Sequence, residues 1–207
     1  MSFLRRDSPI PRETLEELYV REKRSMTDIA TRLGCSVNKV VYWMNKYELV
    51  RRHPAEATYV KRNPKGDPFH IKQPETEDER ELFSLVMGLY LGEGTKSKRD
   101  VRLGNSDPQI IRTFLRFLRE ICRVEEKRIF AWLNIFDDTN VEEALDFWIH
   151  VTGLPKSQFY KTTIRKSKGG TYNHKSKYGT LTVGISNVKL SSTVTEWYKN
   201  AIEKFGS

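Results

Sequence analysis

A single carboxylate, Glu93, stands directly after the most apolar stretch of the chain and is followed by Gly94. Residues 82–92 carry no charge. This stretch is too short to span a bilayer, which takes about 20 apolar residues, so we expect a helix that is buried on every side. A helix C-terminus already carries partial negative charge, so an acid there requires a cation beside it. Glu93 is therefore the first candidate for chemistry.

Two glycines, Gly88 and Gly92, lie one helical turn apart within the apolar stretch. Such a pair leaves a flat strip on which a second helix can approach closely. With Leu85 and Leu89, these glycines form the predicted interface of a homodimer. Pairing would bring two Glu93 carboxylates together, and like charges repel unless divalent cations bridge them.

Residues 86–94 (VMGLYLGEG) resemble the LAGLIDADG motif of homing endonucleases. Gly88 and Gly92 match the small residues of the motif, and Glu93 falls on the acid that binds the catalytic metal in that family. Leu91 replaces the inner acid of the motif, and Glu replaces Asp as the metal ligand; the family tolerates both. The resemblance extends over 79–205, but only these nine residues match closely.

The resemblance implies a Mg²⁺-dependent DNA endonuclease that acts as a homodimer and cuts each strand once. Glu93 and Gly94 would hold the metal, and Lys161 or Lys96 would neutralise charge in the transition state. Mg²⁺ is expected because it is a hard cation that keeps several waters. The alternative is that Gly94 simply ends the helix and leaves Glu93 as a solvated end residue.

The N-terminal segment, 1–52, predicts three short helices. Ser25 caps the second, Gly34 closes it, and Ser36 caps the third. The string 29–44 is similar to the helix-turn-helix of DNA-binding proteins, in which the second helix of the motif enters the major groove. A three-helix protein-interaction module is the alternative.

In this motif, DNA contacts come from the leading face of the last helix and from cations just beyond it. The predicted contacts are Val37, Asn38, Lys39, Val41, Tyr42, Asn45, Lys46, Arg51 and Arg52. From 53 to 75 the periodicity fails and four prolines occur, which predicts a linker.

The segment 76–207 alternates helical and strand patterns, which predicts an α+β fold with helices on one face of an antiparallel sheet. Thr76, Ser106 and Thr139 are predicted to begin helices. Two strands are predicted over 159–165 and 179–186. The first would direct Tyr160, Thr162 and Ile164 toward the helices; the second would direct Leu181, Val183 and Ile185 there.

The opposite face of that sheet is predicted to be cationic and rich in hydroxyl groups. Residues 155–180 contain seven lysines and arginines and no acid, a run that suits a phosphate backbone. Sheets of the resembled family use such a saddle on DNA. The predicted contacts are Arg102, Arg128, Lys161, Thr163, Arg165, Lys166, Lys168, Lys175 and Lys177.

Composition agrees with a nucleic-acid partner, because 36 Lys and Arg against 27 Asp and Glu give a net charge of +9. Two cysteines without Cys/His clusters indicate neither a disulfide framework nor a zinc site. The lack of an apolar leader segment favours the cytosol, nucleoid-associated in a prokaryote, with no membrane partner. Besides the endonuclease, two hypotheses stay open: a non-cleaving transcriptional regulator, and an accessory protein of an invertase or transposase.

Overall fold

The computed structural model describes residues 8–167 and 176–205 of the chain. It divides between Pro68 and Phe69 into two compact units, each with its own apolar core. That position lies within the range predicted as a linker. No helix in the described ranges combines the length and the apolar character needed to cross a membrane.

The N-terminal unit is helical. It contains α1 (Arg12–Leu15), which continues as a π-helical turn (Glu16–Arg21), followed by α2 (Met26–Leu33), α3 (Val37–Lys46) and α4 (Pro54–Arg62). Ser25 and Asp28 form a capping box at the start of α2, as the sequence predicts. The core of the unit is formed by Ile10, Leu15, Leu18, Tyr19, Ile29, Ala30, Val40 and Met44.

Helix α4 differs from the irregular linker expected at this point. Pro54 occupies the first helical position, where the missing N–H costs nothing and the fixed φ angle favours the helix. None of the side chains of α4 is fully buried. The helix therefore lies in a segment whose apolar pattern is too weak to predict it.

The C-terminal unit is α+β. It contains α5 (Glu77–Glu93), β1 (Asp100–Asn105), α6 (Pro108–Glu120), β2 (Phe130–Phe136), α7 (Val141–Thr152), β3 (Thr163–Arg165), β4 (Thr180–Ser186) and α8 (Val188–Phe205). The four strands lie in the order β1-β4-β2-β3. β4 is antiparallel to both β1 and β2. β3 is parallel to β2, so the sheet is mixed and the prediction of an antiparallel sheet is wrong at this strand. The crossover through α7 returns the chain in the same direction.

One face of the sheet forms the core with the helices. Val101, Leu103, Ala131, Leu133, Ile135, Leu181, Val183 and Ile185 are buried there, together with apolar side chains of α5, α6, α7 and α8. The alternate residues lie on the opposite face, here called the open face. Its members on β1, β2 and β4 are Asp100, Arg102, Gly104, Phe130, Trp132, Asn134, Phe136, Thr180, Thr182, Gly184 and Ser186. All of them are at least partly exposed except Phe130 and Gly184.

The strand predicted over 159–165 is interrupted. Phe159 forms a bridge with Ala131, whereas Thr163 pairs with Asn134. The segment from Phe159 to Thr163 therefore advances four residues while β2 advances three. This extra residue reverses the side-chain alternation. Phe159 therefore packs on the core and Tyr160 is 58% exposed, contrary to the prediction for Tyr160. Ile164 is also 54% exposed, because β3 is a short edge strand.

Candidate nucleic-acid interface

Helix α3 is held by a tight turn that the sequence dictates. Gly34 ends α2 at φ 63°, a left-handed conformation that glycine adopts without steric cost. The Oγ of Ser36 accepts a hydrogen bond of 3.2 Å from the N–H of Lys39 and so begins α3. Val40 and Met44 are fully buried, which fixes the face that α3 turns outward.

The outward face of α3 carries the predicted DNA contacts. Val37 is 37% exposed and Tyr42 is 59% exposed. Asn38, Asn45 and Lys46 are exposed, while Lys39 and Val41 are half-buried. The Lys46 ammonium lies 4.6 Å from the centroid of the Trp43 ring. The face thus offers amide, ammonium, phenol and methyl groups together, the chemistry that base edges require.

Arg51 and Arg52 are neighbours with different surroundings. Arg51 is exposed. The Arg52 guanidinium donates to the carbonyl oxygens of Arg24, at 2.8 Å, and of Tyr19, and lies 3.9 Å from the centroid of the Tyr19 ring. Its backbone N–H also donates to the Tyr19 hydroxyl at 2.8 Å. Arg52 therefore holds the N-terminal unit together, which does not favour the phosphate contact predicted for it.

On the open face, cations lie on either side of a centre of hydroxyl and aromatic groups, and one acid, Asp100, accepts a hydrogen bond of 2.7 Å from the Ser186 hydroxyl at the β1 edge. Arg102 is half-buried on β1, and Lys161, Arg165 and Lys166 are exposed at the opposite edge. Thr163 accepts a hydrogen bond of 3.0 Å from the indole N–H of Trp132. The structure thus brings Arg102, Thr163 and Arg165 to one face of the sheet, as predicted.

The remaining predicted cations lie elsewhere. Lys177 pairs with Glu143 of α7 at 3.2 Å, and its ammonium lies 4.7 Å from the centroid of the Tyr178 ring. Arg128 is half-buried at the end of a 3₁₀ turn, just before β2. Lys168 and Lys175 lie outside the described residues.

Helix α5 is not buried on every side, which corrects the expectation. Its capping box of Thr76 and Glu79 forms as predicted. Leu82, Val86, Met87 and Tyr90 are buried, but an exposed strip runs along the other side of the helix. The strip, here called the α5 strip, consists of Ser84, Leu85, Gly88 and Gly92.

The α5 strip is flat and open. A Cβ atom added at Gly88 or Gly92 would have no neighbour within 4 Å. Leu85 is 56% exposed, whereas Leu89 packs partly against the core and does not belong to the strip. Among the residues that the structure describes, none approaches 88 or 92 closely enough to require glycine there.

The end of α5 joins the sheet at its β1 edge. Gly94 pairs with Leu103, and a Cβ atom on Gly94 would lie 2.4 Å from the Tyr90 ring. The Lys96 ammonium donates to the carbonyl oxygens of Tyr90, at 2.6 Å, and Leu91, at 3.1 Å. Glu93 is exposed and pairs with no side chain in the described ranges.

Tyr90 supports this end from inside. Its hydroxyl donates to the carbonyl oxygen of Thr95 at 2.8 Å. Burial, more than the neighbouring Tyr198, raises the pKa of Tyr90 to about 12. The phenol therefore stays protonated at neutral pH and keeps its role as a donor.

The two lysines predicted to be catalytic are not both beside Glu93. Lys96 is near it in the chain but caps the helix carbonyls. Lys161 follows Tyr160, whose N–H donates to Ala131 of β2. Gly94 lies outside β1, so four strand spacings, about 19 Å, separate the end of α5 from the segment of Lys161. Within one chain, Lys161 cannot reach the Glu93 carboxylate.

The donors at this end fit a shared Mg²⁺ site better than a closed one. The Glu93 carboxylate and the Gly94 carbonyl are hard oxygen donors, and Mg²⁺ commonly takes one or two carboxylates, waters and substrate phosphates. In 8–167 and 176–205, no three His, Cys, Asp or Glu side chains are grouped to hold a metal ion. Glu93 and Gly94 of one chain would therefore leave most ligand positions of such a site to other donors.

The pairing of Phe130 with Tyr160 was not foreseen from the sequence. With two consecutive aromatic residues, Phe159 and Tyr160, the sequence does not show which one faces the core; the extra residue before Thr163 decides it.

Comparison of the chain with protein-family models, with curated proteins and with solved structures gave no match.

Proposed function

We propose that this protein binds specific double-stranded DNA sequences through α3 and the open face, and cleaves DNA as a metal-dependent homodimeric endonuclease. The observation that carries DNA binding is the outward face of α3, behind a left-handed glycine turn. In this proposal α2 and α3 are a helix-turn-helix, and the C-terminal unit is a LAGLIDADG-like domain whose sheet is the saddle.

The charge distribution supports the same partner. The net charge is +9, and Arg102, Lys161, Arg165 and Lys166 flank the open face. Phosphate contacts from such cations position a protein on a duplex, and groups on α3 read base edges. Binding that depends on released counterions weakens steeply as salt rises.

The α5 strip supports the homodimer. It is uncharged, has glycine at two of its four positions, and is exposed in a single chain, so a second copy can approach it closely. Pairing along the strip would bring two exposed Glu93 carboxylates toward one point. A divalent ion held there with DNA phosphate would activate water and neutralise the leaving oxygen. Each chain would contribute one carboxylate and one carbonyl.

A non-cleaving regulator is the second candidate. It is favoured by the placement of the two lysines, because Lys96 caps helix carbonyls and Lys161 lies about four strand spacings away. A protein that only binds DNA needs neither lysine beside Glu93.

Cleavage separates the two candidates. The wild type and Glu93→Gln are incubated with a plasmid library of randomised inserts, with Mg²⁺ or with chelator. The endonuclease predicts Mg²⁺-dependent cuts at a partly palindromic sequence, lost in the variant while binding is kept. Binding without cuts in both proteins would establish the regulator instead.

The oligomeric part is tested by sedimentation. A homodimer has twice the chain mass of 24.3 kDa. Gly88→Leu fills the open strip with a good helix former and should yield monomer without loss of helix content. Lys199→Leu, at an exposed position of α8, is the matched control and should remain dimeric. A monomeric wild type at micromolar concentration, with and without DNA, would refute the homodimer.

A further inference from the structure

The open face includes an aromatic stack whose outer ring is largely uncovered. The ring centroids of Phe130 and Tyr160 are 5.2 Å apart, and the ring planes meet at 21°. Phe130 is 8% exposed and Tyr160 is 58% exposed. One face of the Tyr160 ring lies on Phe130, and among residues 8–167 and 176–205 no second ring stacks on Tyr160, so its exposed surface can receive a further planar group.

The stack is not part of the helix-side core. Phe130 alternates with Ala131, Leu133 and Ile135, which face the helices, and it is absent from the cluster that those residues form. The Tyr160 ring covers Phe130 on the open face. The exposed Tyr160 ring, which lies on Phe130, is therefore a feature of the open face and not a partly exposed residue of the helix-side core.

The positions beside the stack leave room and supply charge. Phe130 lies opposite Gly184, and Gly184 lies opposite Arg102. A Cβ atom on Gly184 would lie 2.3 Å from the carbonyl oxygen of Val101, so glycine is required there. Gly184, which has no side chain, thus lies between Phe130 and Arg102 on the open face. The exposed Lys161 follows directly after Tyr160.

A nucleic acid supplies both groups that such a site can bind. Its base is a planar ring that stacks on a phenol ring, and its phosphates are attracted by cations. Bases inside a duplex already stack on both faces, so only a base outside the stack can cover the Tyr160 ring. Charge complementarity favours this ligand, because Arg102, Lys161 and Arg165 outnumber Asp100, the acid that the described strands place on the open face.

We infer that Tyr160, backed by Phe130, stacks on an unpaired base of DNA that lies on the open face. The inference rests on the proposed contact between this face and DNA, and it specifies the DNA: single-stranded or opened locally at the protein. Phe130 is the positioning residue, because it fixes the plane of the Tyr160 ring.

The test compares DNA with and without bases on the same backbone. Labelled thymidine strands of about 20 nucleotides, and strands of equal length made of abasic residues, are titrated with the full chain by fluorescence anisotropy. Tyr160→Ala should weaken binding to the thymidine strand about 5- to 150-fold and leave the abasic strand unchanged. Tyr160→Phe keeps the ring and should bind within about twofold of wild type.

Ile164→Ala is the matched control, since Ile164 is an exposed apolar residue of neighbouring β3 without a ring; it should bind both strands as wild type does. Equal binding of the thymidine strand by wild type and Tyr160→Ala would overturn the inference. Equal losses on both strands would overturn it too, because they indicate a general structural effect. A change in sedimented mass in Tyr160→Ala would assign the ring to a contact between copies.

A paired duplex of random sequence separates this inference from the proposed function. If wild type binds the duplex and Tyr160→Ala has no effect on the thymidine strand, only the stacking role fails. If wild type binds neither the duplex nor any single strand, the proposed function fails, and the inference fails with it.

Discussion

The ammonium of Lys96 closes the last turn of α5 by donating to the carbonyl oxygen of Tyr90 at 2.6 Å. It also lies 5.2 Å from the centroid of the Tyr90 ring and 5.1 Å from that of Tyr198. The cation that the end of α5 requires thus comes from the chain itself. The Glu93 carboxylate is exposed beside this capped helix end and pairs with no side chain in the part of the chain that the structure describes.

Replacing Lys96 should loosen this end. Lys96→Met removes two charge-assisted hydrogen bonds and a cation at a helix C-terminus, so we expect a loss of about 1–2 kcal/mol in the free energy of unfolding. Urea unfolding followed by tryptophan fluorescence measures it. Lys98→Met, an exposed lysine of the same turn, should change stability by less than about 0.5 kcal/mol. Equal losses in both variants would contradict a capping role.

The glycines of α5 should respond oppositely to alanine. Gly88→Ala places a methyl group in open space within a helix and should stabilise the monomer by about 0.5–1 kcal/mol. Gly94→Ala drives a methyl group into the Tyr90 ring and should cost about 1–3 kcal/mol. Thermal unfolding of dilute protein distinguishes them, and a destabilised Gly88→Ala monomer would show that the strip is packed within the chain.

The neighbouring arginines should separate stability from DNA affinity. Arg52→Met removes the guanidinium from the carbonyls of Arg24 and Tyr19 and should destabilise the N-terminal unit by about 2 kcal/mol. Arg51→Met should leave stability unchanged. It should weaken DNA binding for all sequences and reduce the slope of log affinity against log salt by about 1. If the two variants behaved alike in urea, the structural role of Arg52 would be wrong.

Acid should weaken the start of α5. Two hydrogen bonds to the Glu79 carboxylate lower its pKa from 4.5 to about 2. The larger effect comes from the Lys72 ammonium, and the next from the backbone N–H of Glu75. Because the folded state favours the carboxylate, this contribution is complete above about pH 5 and is lost as pH falls through 4.5 toward 2. The urea midpoint of wild type should therefore fall over that window.

Two variants test whether the Glu79 carboxylate causes this fall in the urea midpoint. Glu79→Gln removes the titrating group, and Lys72→Met removes the main cause of the lowered pKa. Both should flatten the fall in the urea midpoint below pH 5. An unchanged slope in both variants would show that other carboxylates are responsible.

Helix starts and apolar alternation could be predicted because they depend on near neighbours in the chain. Thr76 and Ser25 cap as expected, and Leu181, Val183 and Ile185 face the core. Where two polar residues compete, the prediction misses by one. Asp107 rather than Ser106 accepts from Gln109, and Asn140 rather than Thr139 accepts from Glu142 and Glu143. Ser, Thr, Asp and Asn are all favoured as N-caps, so residue type alone does not decide between two adjacent candidates.

The misses at the site have a different cause, since they depend on partners distant in sequence. No local pattern reveals that Arg52 reaches the carbonyl of Tyr19, or that the pairing of β2 with Phe159 requires an extra residue before Thr163. The exposure of the α5 strip was missed because an uncharged run predicts burial but does not indicate whether the burial is within the same chain or against another molecule. Charge and residue type predicted which surfaces are of interest, and tertiary contacts decided which side chains are available on them.

The two separate cores have a consequence for heating. The N-terminal core rests on a few apolar side chains, and a unit of about 60 residues buries too little surface to be more than marginally stable. The calorimetric trace should therefore contain two peaks, the smaller unit melting at the lower temperature. Between the peaks the sheet would persist without a folded α3, so under the proposed function sequence selectivity would be lost at a lower temperature than affinity for DNA.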